Sequence, residues 1–501
     1  MSTLQVAVFL AITAAIAFAT YWHCRGKRGA QDERDYFLAN GGLAWYFVAG
    51  SITLTNLSTD QLVSMNGNQM LLVAWWELAA VVGLFILAFV FLPVYYRNNC
   101  TTTTELLQKK YGDKNIRALI SVLFLAGNLF IFLPAILYGG SRFFLSLLGL
   151  DGGIENLLLV SVVLATVGAA YAIFGGLRAV AVSDTYSGFL ILGLAMLVVL
   201  LALNAIDYDL SGIPAERLTL VGDNDSDIPW HTLLTGMIFI QTFYWSTNQT
   251  ITQRAMASPT IREAQKGVLA AAGIRLLIVP LIVVIPGIVA YKLFGDVPKD
   301  GAYGMIVDAV LPEWLSGALA AALFAAALTS FNSILNASAA LYVCDLHDAY
   351  VGKAKKVARL GAIVSIVMSG LALTLVPFFA SQESLINTVQ TLYGLLSMPI
   401  LSAFVVSLIF RNVDARAAMI GVVTGVIFYG FWAAPLEWVV NAREGAMAAL
   451  RLEALLSVHY IHWMACTLLI AVFTSLLVNR AVFGRRAELA IGSGDTEAQA
   501  A

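Results

Sequence analysis

Charge is scarce in this sequence. Asp, Glu, Lys and Arg make up 12% of its 501 residues, about half the roughly 25% of an ordinary soluble domain. So few charges cannot cover a water-facing surface of normal composition. The formal net charge is −2, and no basic stripe speaks for a nucleic-acid partner. Cysteine is equally sparse. Cys24, Cys100 and Cys344 fall near one membrane face, Cys466 lies within an apolar run, and none makes a CxxC or Cys/His ligand spacing. They read as reduced structural thiols. The five histidines, His23, His231, His347, His459 and His462, lie near the ends of apolar runs or in the last one, with no ligand cluster or nucleophile beside them in sequence. No hydrolytic or redox constellation occurs, so no enzyme activity and no cofactor are expected. A Walker-type glycine loop is also missing, which removes ATP as the energy source and leaves an ion gradient.

What the chain has in quantity is apolar length. It is 59% hydrophobic with a mean hydropathy of +0.81, and runs of about 20 apolar residues, each long enough to cross a bilayer, recur along it. The pattern predicts an all-α polytopic membrane protein with 13 spans. They begin with Thr3–His23, Trp45–Gly67, Met70–Tyr96, Ala118–Leu148, Asn156–Gly176, Ala181–Ile206 and His231–Met256. The series continues with Gly267–Phe294, Trp314–Leu346, Leu360–Ala380, Leu385–Phe410, Ala417–Trp438 and Leu456–Asn479. The first lacks the basic n-region and small-residue cleavage site of a signal peptide. Of 29 Lys and Arg, 22 fall in alternate loops, against six in the opposite ones. The positive-inside rule then places the N-terminus outside and the C-terminus in the cytoplasm of a cell (inner or plasma) membrane. The loop 207–230 is acidic, through Asp207, Asp209, Glu216, Asp223, Asp225 and Asp227, and falls outside.

Two of these spans carry a matching polar frame, Ser58-Thr59-Asp60-Gln61 in span 2 and Ser246-Thr247-Asn248-Gln249 in span 7. Polar side chains at mid-membrane depth are costly and usually face a cavity. Spans 2–6 and 7–11 form two units of five helices, and an odd number per unit inverts the second relative to the first. The organisation read from this is a peripheral first span and loop over 1–43, a first repeat over 44–206 and an external loop over 207–230. A second repeat over 231–411, two peripheral spans over 412–480 and a disordered cytoplasmic tail over 481–501 complete it.

Span 2 holds Ser51, Thr53, Thr55, Asn56, Ser58, Thr59, Asp60 and Gln61 within 11 residues. Such side chains compete for backbone hydrogen bonds, so an unwound segment is predicted, an intact helix with back-bonded hydroxyls being the alternative. Broken helices offer carbonyls to cations and N–H groups to polar ligands. Span 9 presents Thr329, Ser330, Asn332, Ser333 and Asn336 as a polar stripe, fit for a weakly held monovalent cation or for plain helix–helix adhesion. Glu77 is the clearest intramembrane carboxylate, with Gln61, Gln241, Tyr244, Asn248, Gln249 and Gln390 in the same layer. Amides and aromatics around one carboxylate suit a polyhydroxyl ligand. A carboxylate or zwitterion would need a cation, for which Arg275 is the candidate. Asp184 is either a helix cap or a second cation ligand, with Asn332 and Ser333 as its partners.

Several stretches resemble the sodium/solute symporter family, in particular its bacterial sodium/sugar branch, relatives of the sodium/glucose cotransporters. They are Tyr36-Phe37-Leu38-Ala39, Asn56-Leu57-Ser58-Thr59-Asp60-Gln61, Gly175-Gly176-Leu177-Arg178-Ala179-Val180, Tyr244-Trp245-Ser246-Thr247-Asn248-Gln249 with Gln253-Arg254, and Glu263-Ala264-Gln265-Lys266-Gly267. Over about residues 33–412 the resemblance implies inverted five-helix repeats of the leucine-transporter type, with breaks in spans 2 and 7. It implies a sodium site from the carbonyls of Leu54, Leu57 and Ala326 and the hydroxyls of Thr329 and Ser330. It also implies a sugar site from Gln61, Glu77, Gln241, Tyr244, Trp245, Asn248 and Gln390. Tyr244 would be the inner gate, with Met65, Trp76 and Ile386 an apolar outer lid. The chain departs from the family at Phe132 and Ala80, where sugar-binding Asn and Ser are usual, and at Arg275, where Lys is usual. The expected function is sodium-coupled uptake of a small polar solute, in the first place a monosaccharide. A carboxylate or amino acid held by Arg275 is the alternative, and a channel or membrane sensor is the reading from another class.

Overall fold

A computed structural model describes residues 2–24, 33–298, 301–382, 385–433 and 437–490. Helices fill nearly all of it, because backbone polar groups in hydrocarbon must be satisfied within their own segment. Ten helices among the described residues are long and apolar enough to cross a membrane. The remaining predicted spans escape that criterion for physical reasons. Span 2 is split into Trp45–Asn56 and Thr59–Gly67, span 7 into Gly236–Ser246 and Gln249–Met256, and span 5 supplies the shorter apolar helix Ile154–Ala170. Both splits fall on the matching polar frames.

Spans 5 and 6 run as Ile154–Ala205 across a turn at Gly176, whose φ of 56° lies in the left-handed region that only glycine enters without strain. A Cβ there would also sit 3.3 Å from the Tyr36 carbonyl oxygen. Span 8 is interrupted once, between Ile261–Leu277 and Val279–Phe294. Pro280, lacking an N–H and crowding the carbonyl four residues back, accounts for that interruption. Glycines bring the spans of the two repeats into backbone contact. A Cβ at Gly83 would lie 2.4 Å from the Gln241 carbonyl oxygen, joining spans 3 and 7.

Two expectations at the C-terminal end need correction, on the last helix and on the tail. Span 12 is described over Ala415–Ala433, and a helix over Glu437–Leu450 comes after 434–436, which lie outside the described residues. The charges of Glu437, Arg443 and Glu444 in that segment are costly in hydrocarbon. The last helix begins at Tyr460 rather than Leu456, after a short 3-10 turn over Glu453–Ser457. The tail is also paired at its start: Glu488–Leu489 runs antiparallel to Phe410–Arg411, and Ala490 N donates to Ile409 O at 2.7 Å. The rest of the tail expectation, 491–501, lies outside the described residues.

Candidate solute and cation site

The break in span 2 follows from its polar side chains. Leu57 leaves the helix with ψ 79°, and Ser58 N–H turns to Asn56 O at 2.8 Å instead of the Leu54 carbonyl four residues back. In span 7, Thr247 ends the first half and Asn248 caps the second, its Oδ1 accepting from Thr250 N at 2.9 Å. The two breaks flank a cavity of about 120 Å³, several times what a single ordered water needs.

The cavity lining is part polar and part aromatic. Thr55, Asn56, Ser58, Gln61, Glu77, Gln241 and Gln390 supply the polar groups, and Trp76, Phe132, Tyr244, Trp245 and Tyr393 the aromatic ones. Glu77 is held on both oxygens: Gln61 Nε2 donates to Oε1, and the Arg275 guanidinium pairs with Oε2. Arg275 is fully buried behind Glu77. Its Nη2 donates to Thr53 O at 3.1 Å and its guanidinium lies 4.3 Å from the Trp245 ring centroid. Trp245 Nε1 donates to Gln241 Oε1 at 2.9 Å, and Gln241 Nε2 donates to Trp76 O at 3.0 Å. This chain of contacts crosses spans 2, 3, 7 and 8 and sets the orientation of Gln61, Glu77 and Gln241. Asn56 Oδ1 and Gln61 Oε1 are buried without a partner, a condition that costs free energy unless something donates to them.

Of the nominated solute residues, Gln61, Glu77, Gln241, Tyr244, Trp245 and Gln390 line the cavity, whereas Asn248 and Arg275 do not. Asn248 supports it indirectly, its Nδ2 donating to the lining Tyr393 hydroxyl at 3.2 Å. Among the lining residues not nominated for the solute, two link elements of the site. Asn56 donates from Nδ2 to the Tyr244 hydroxyl at 3.0 Å, linking the two broken helices. Tyr393 sits one turn after Gln390, and an aromatic at i+3 on the same face was the available signal. Phe132 meets Tyr393 edge-on at 4.8 Å. Among the lid residues Trp76 lines the cavity, and Met65 is buried one turn beyond Gln61 without lining it. The side chain of Ile386 lies outside the described residues.

Four of the five nominated sodium oxygens fall in two pairs, one across spans 2 and 9 and one within span 9. Ser330 Oγ donates to Leu54 O at 3.3 Å, and Thr329 Oγ1 donates to Ala326 O at 3.0 Å. Oxygens roughly 3.4 Å apart are what a cation with contacts near 2.4 Å spans, the contact length of the similarly sized Ca²⁺. The absence of a carboxylate among them favours a monovalent ion. Asp184 and Ser333, of the second candidate set, meet through Arg254. That guanidinium donates to Ser51 Oγ at 2.8 Å and to Ser333 Oγ, and Ser51 Oγ donates to Asp184 at 2.5 Å. Arg254 also lies 3.8 Å from Asp184 Oδ2. Asn332 bonds neither of them. Its amide is buried without a partner, as is Asp184 Oδ1.

Residues 36–425 match the model of a family described as the Sodium:solute symporter family. Over 500 residues the chain is 30% identical to an uncharacterized symporter, YidK, of Escherichia coli (strain K12), covering 96% of this chain and 84% of that one. It is 28% identical over 470 residues to the sodium/glucose cotransporter of Vibrio parahaemolyticus, covering 85% and 84%. A solved structure of a Na⁺-coupled sialic acid symporter in a substrate-bound, outward-open state superposes with a TM-score of 0.79 at 17% identity, over 97% of this chain and 99% of that one. The fold is thereby that of the leucine-transporter-type Na⁺-coupled carriers, with spans 2 and 7 broken.

Proposed function

The chain belongs to the sodium:solute symporter family, and on that premise we propose that it imports a monosaccharide with sodium by alternating access. Sodium-coupled transport of a small solute is the family's activity. The sugar is our reading, and one observation carries it: the cavity joins hydroxyl-seeking amides and one neutralised carboxylate to aromatic side chains. A pyranose presents hydroxyls along its rim and C–H groups on its faces, and aromatic faces cover the latter. A carboxylate substrate would meet Glu77 with no free cation, because Arg275 is already bound to Glu77 and Thr53 O. We assign sodium to the Leu54, Leu57, Ala326, Thr329 and Ser330 oxygens. A second ion at Asp184, Asn332 and Ser333 would have to displace Arg254. The outside N-terminus, the cytoplasmic C-terminus and the inner-membrane location rest on the basic-residue pattern.

Trp76 and Trp245 line the cavity, so binding is testable by intrinsic fluorescence of the purified carrier. Monosaccharides should quench or shift emission in sodium and not in choline, and amino acids and carboxylates should not. A sodium-dependent response to carboxylates alone would replace the sugar reading with the other. Gln390→Ala removes a neutral hydrogen-bonding group worth about 0.5–1.5 kcal/mol, so sugar affinity should fall roughly 2- to 10-fold in the same titration.

Tyr244 separates gate from wall. Its ring packs edge-on against Trp245 at 5.0 Å and Tyr393 at 5.8 Å, and its hydroxyl accepts from Asn56. Tyr244→Phe loses that bond but keeps the ring and should reduce the accumulation ratio modestly. Tyr244→Ala removes the plug and should collapse accumulation under a fixed sodium gradient. Equal loss of affinity in both variants with coupling intact would make Tyr244 a wall residue.

A further inference from the structure

Two of the five histidines, 231 residues apart in sequence, are brought together by the fold. His231 opens span 7 in the 3-10 turn Trp230–Leu234, and His462 lies in the first turn of the last helix, Tyr460–Ala481. His231 Nδ1 and His462 Nε2 are 2.7 Å apart, with the two ring planes only 16° from parallel. The backbones beneath them touch: a Cβ on Gly236 would lie 1.8 Å from the Ile461 carbonyl oxygen. The two imidazoles are therefore presented by helices that cannot easily separate.

Thr235 Oγ1 lies 2.9 Å from His462 Nδ1 and within reach of the Thr232 and His231 carbonyl oxygens, at 3.2 and 3.5 Å. When the hydroxyl donates to one of those carbonyls it accepts from His462 Nδ1, the tautomer that leaves the Nε2 lone pair facing His231 Nδ1. A metal-binding histidine is ordinarily oriented in this way, with its far nitrogen donating to an oxygen. Both residues are half-buried. The preceding loop carries Asp207, Asp209, Glu216, Asp223, Asp225 and Asp227 against Arg217 alone, a field that concentrates cations at this end of the bundle. His459, close by, is committed elsewhere, to Ile461 N and to the Asp227 backbone.

We propose that His231 and His462 form a binding site for a first-row divalent transition metal such as Zn²⁺, bridging span 7 to the last helix. The metal replaces the hydrogen that the two nitrogens now share. At Zn–N lengths of 2.0–2.1 Å a tetrahedral ion sets its ligand nitrogens roughly 3.3 Å apart, an opening of about 0.6 Å that side-chain rotation supplies. Among the described residues no group of three or more His, Cys, Asp or Glu has metal-binding geometry, so water fills the remaining positions. Hard alkali cations have no claim on imidazole nitrogen, which keeps this site apart from the sodium oxygens in the membrane. Position outside the membrane follows from the proposed orientation; metal binding does not depend on it.

The test is calorimetric titration of Zn²⁺ into the full-length, untagged carrier in detergent. Wild type should bind one equivalent. His231→Gln and His462→Gln should each weaken binding at least tenfold, and Thr235→Val by up to about tenfold through loss of ring orientation. His459→Gln should bind as wild type. Sodium-dependent solute uptake by each variant reports that it is folded. A second reading needs no variant: saturating Zn²⁺ should protect two histidines of the wild-type protein from carbethoxylation by diethyl pyrocarbonate. Absence of saturable binding and of protection would overturn the proposal. So would wild-type affinity in both glutamine variants, or a loss confined to His459→Gln.

Discussion

Replacing Thr329 and Ser330 together with alanine is expected to abolish sodium stimulation of transport while leaving the carrier folded. The two hydroxyls supply hard oxygens facing the carbonyls of Ala326 and Leu54, so their loss leaves the cation with backbone oxygens alone. Hydrogen-bond-type contacts to a charged group contribute about 1.5–3 kcal/mol each. Two of them correspond to a rise of at least about a hundredfold in half-saturating sodium. Alanine is the best helix former, and the hydroxyls' existing bonds to carbonyls are worth only about 1 kcal/mol apiece, so helix Glu313–Ala340 should persist. Uptake measured against sodium concentration, normalised to folded protein in the membrane, reads the result. An unchanged half-saturating sodium concentration would move the ion to another site.

Glu77→Ala should be the most damaging single substitution in the solute cavity, for two separable reasons. It removes the carboxylate that faces the solute, and it strands the Arg275 guanidinium, which is 0% exposed. Removing one partner of a buried ion pair costs about 3–5 kcal/mol, whereas replacing both by apolar groups is often neutral. Glu77→Ala alone should therefore lower both folded yield and solute binding. Glu77→Ala with Arg275→Met should restore the yield, read by size-exclusion profile and thermal stability, and leave binding lost. If the double variant transported normally, the pair would be a structural brace and the solute would lie elsewhere.

What could be read from the sequence was local. Eight Ser, Thr, Asn, Asp and Gln residues between Ser51 and Gln61 cannot all be satisfied by one helix, and the break at Leu57–Ser58 follows. The Thr329 and Ser330 stripe was legible because helical spacing places its members on one face. The long-range pairings were not legible. Glu77 and Arg275 are 198 residues apart, and nothing in either span indicates that the arginine neutralises the carboxylate instead of facing solute. Arg254 stood in a recognised motif, yet its position between Asp184 and Ser333 needed three spans at once. His231 and His462 were unreadable for the same reason. The helix over Glu437–Leu450 was missed because its charges, Glu437, Arg443 and Glu444, follow directly on an apolar stretch.

The central claim is sodium-driven import of a monosaccharide, and proteoliposome uptake tests it most directly. Purified carrier would be given an inward sodium gradient and a panel of radiolabelled monosaccharides, amino acids and carboxylates, with a sodium ionophore as control. The account predicts that at least one monosaccharide accumulates above its external concentration, and that the ionophore or replacement of sodium by choline abolishes the accumulation. Accumulation of a carboxylate or amino acid but of no monosaccharide, or sugar entry indifferent to sodium, would contradict it.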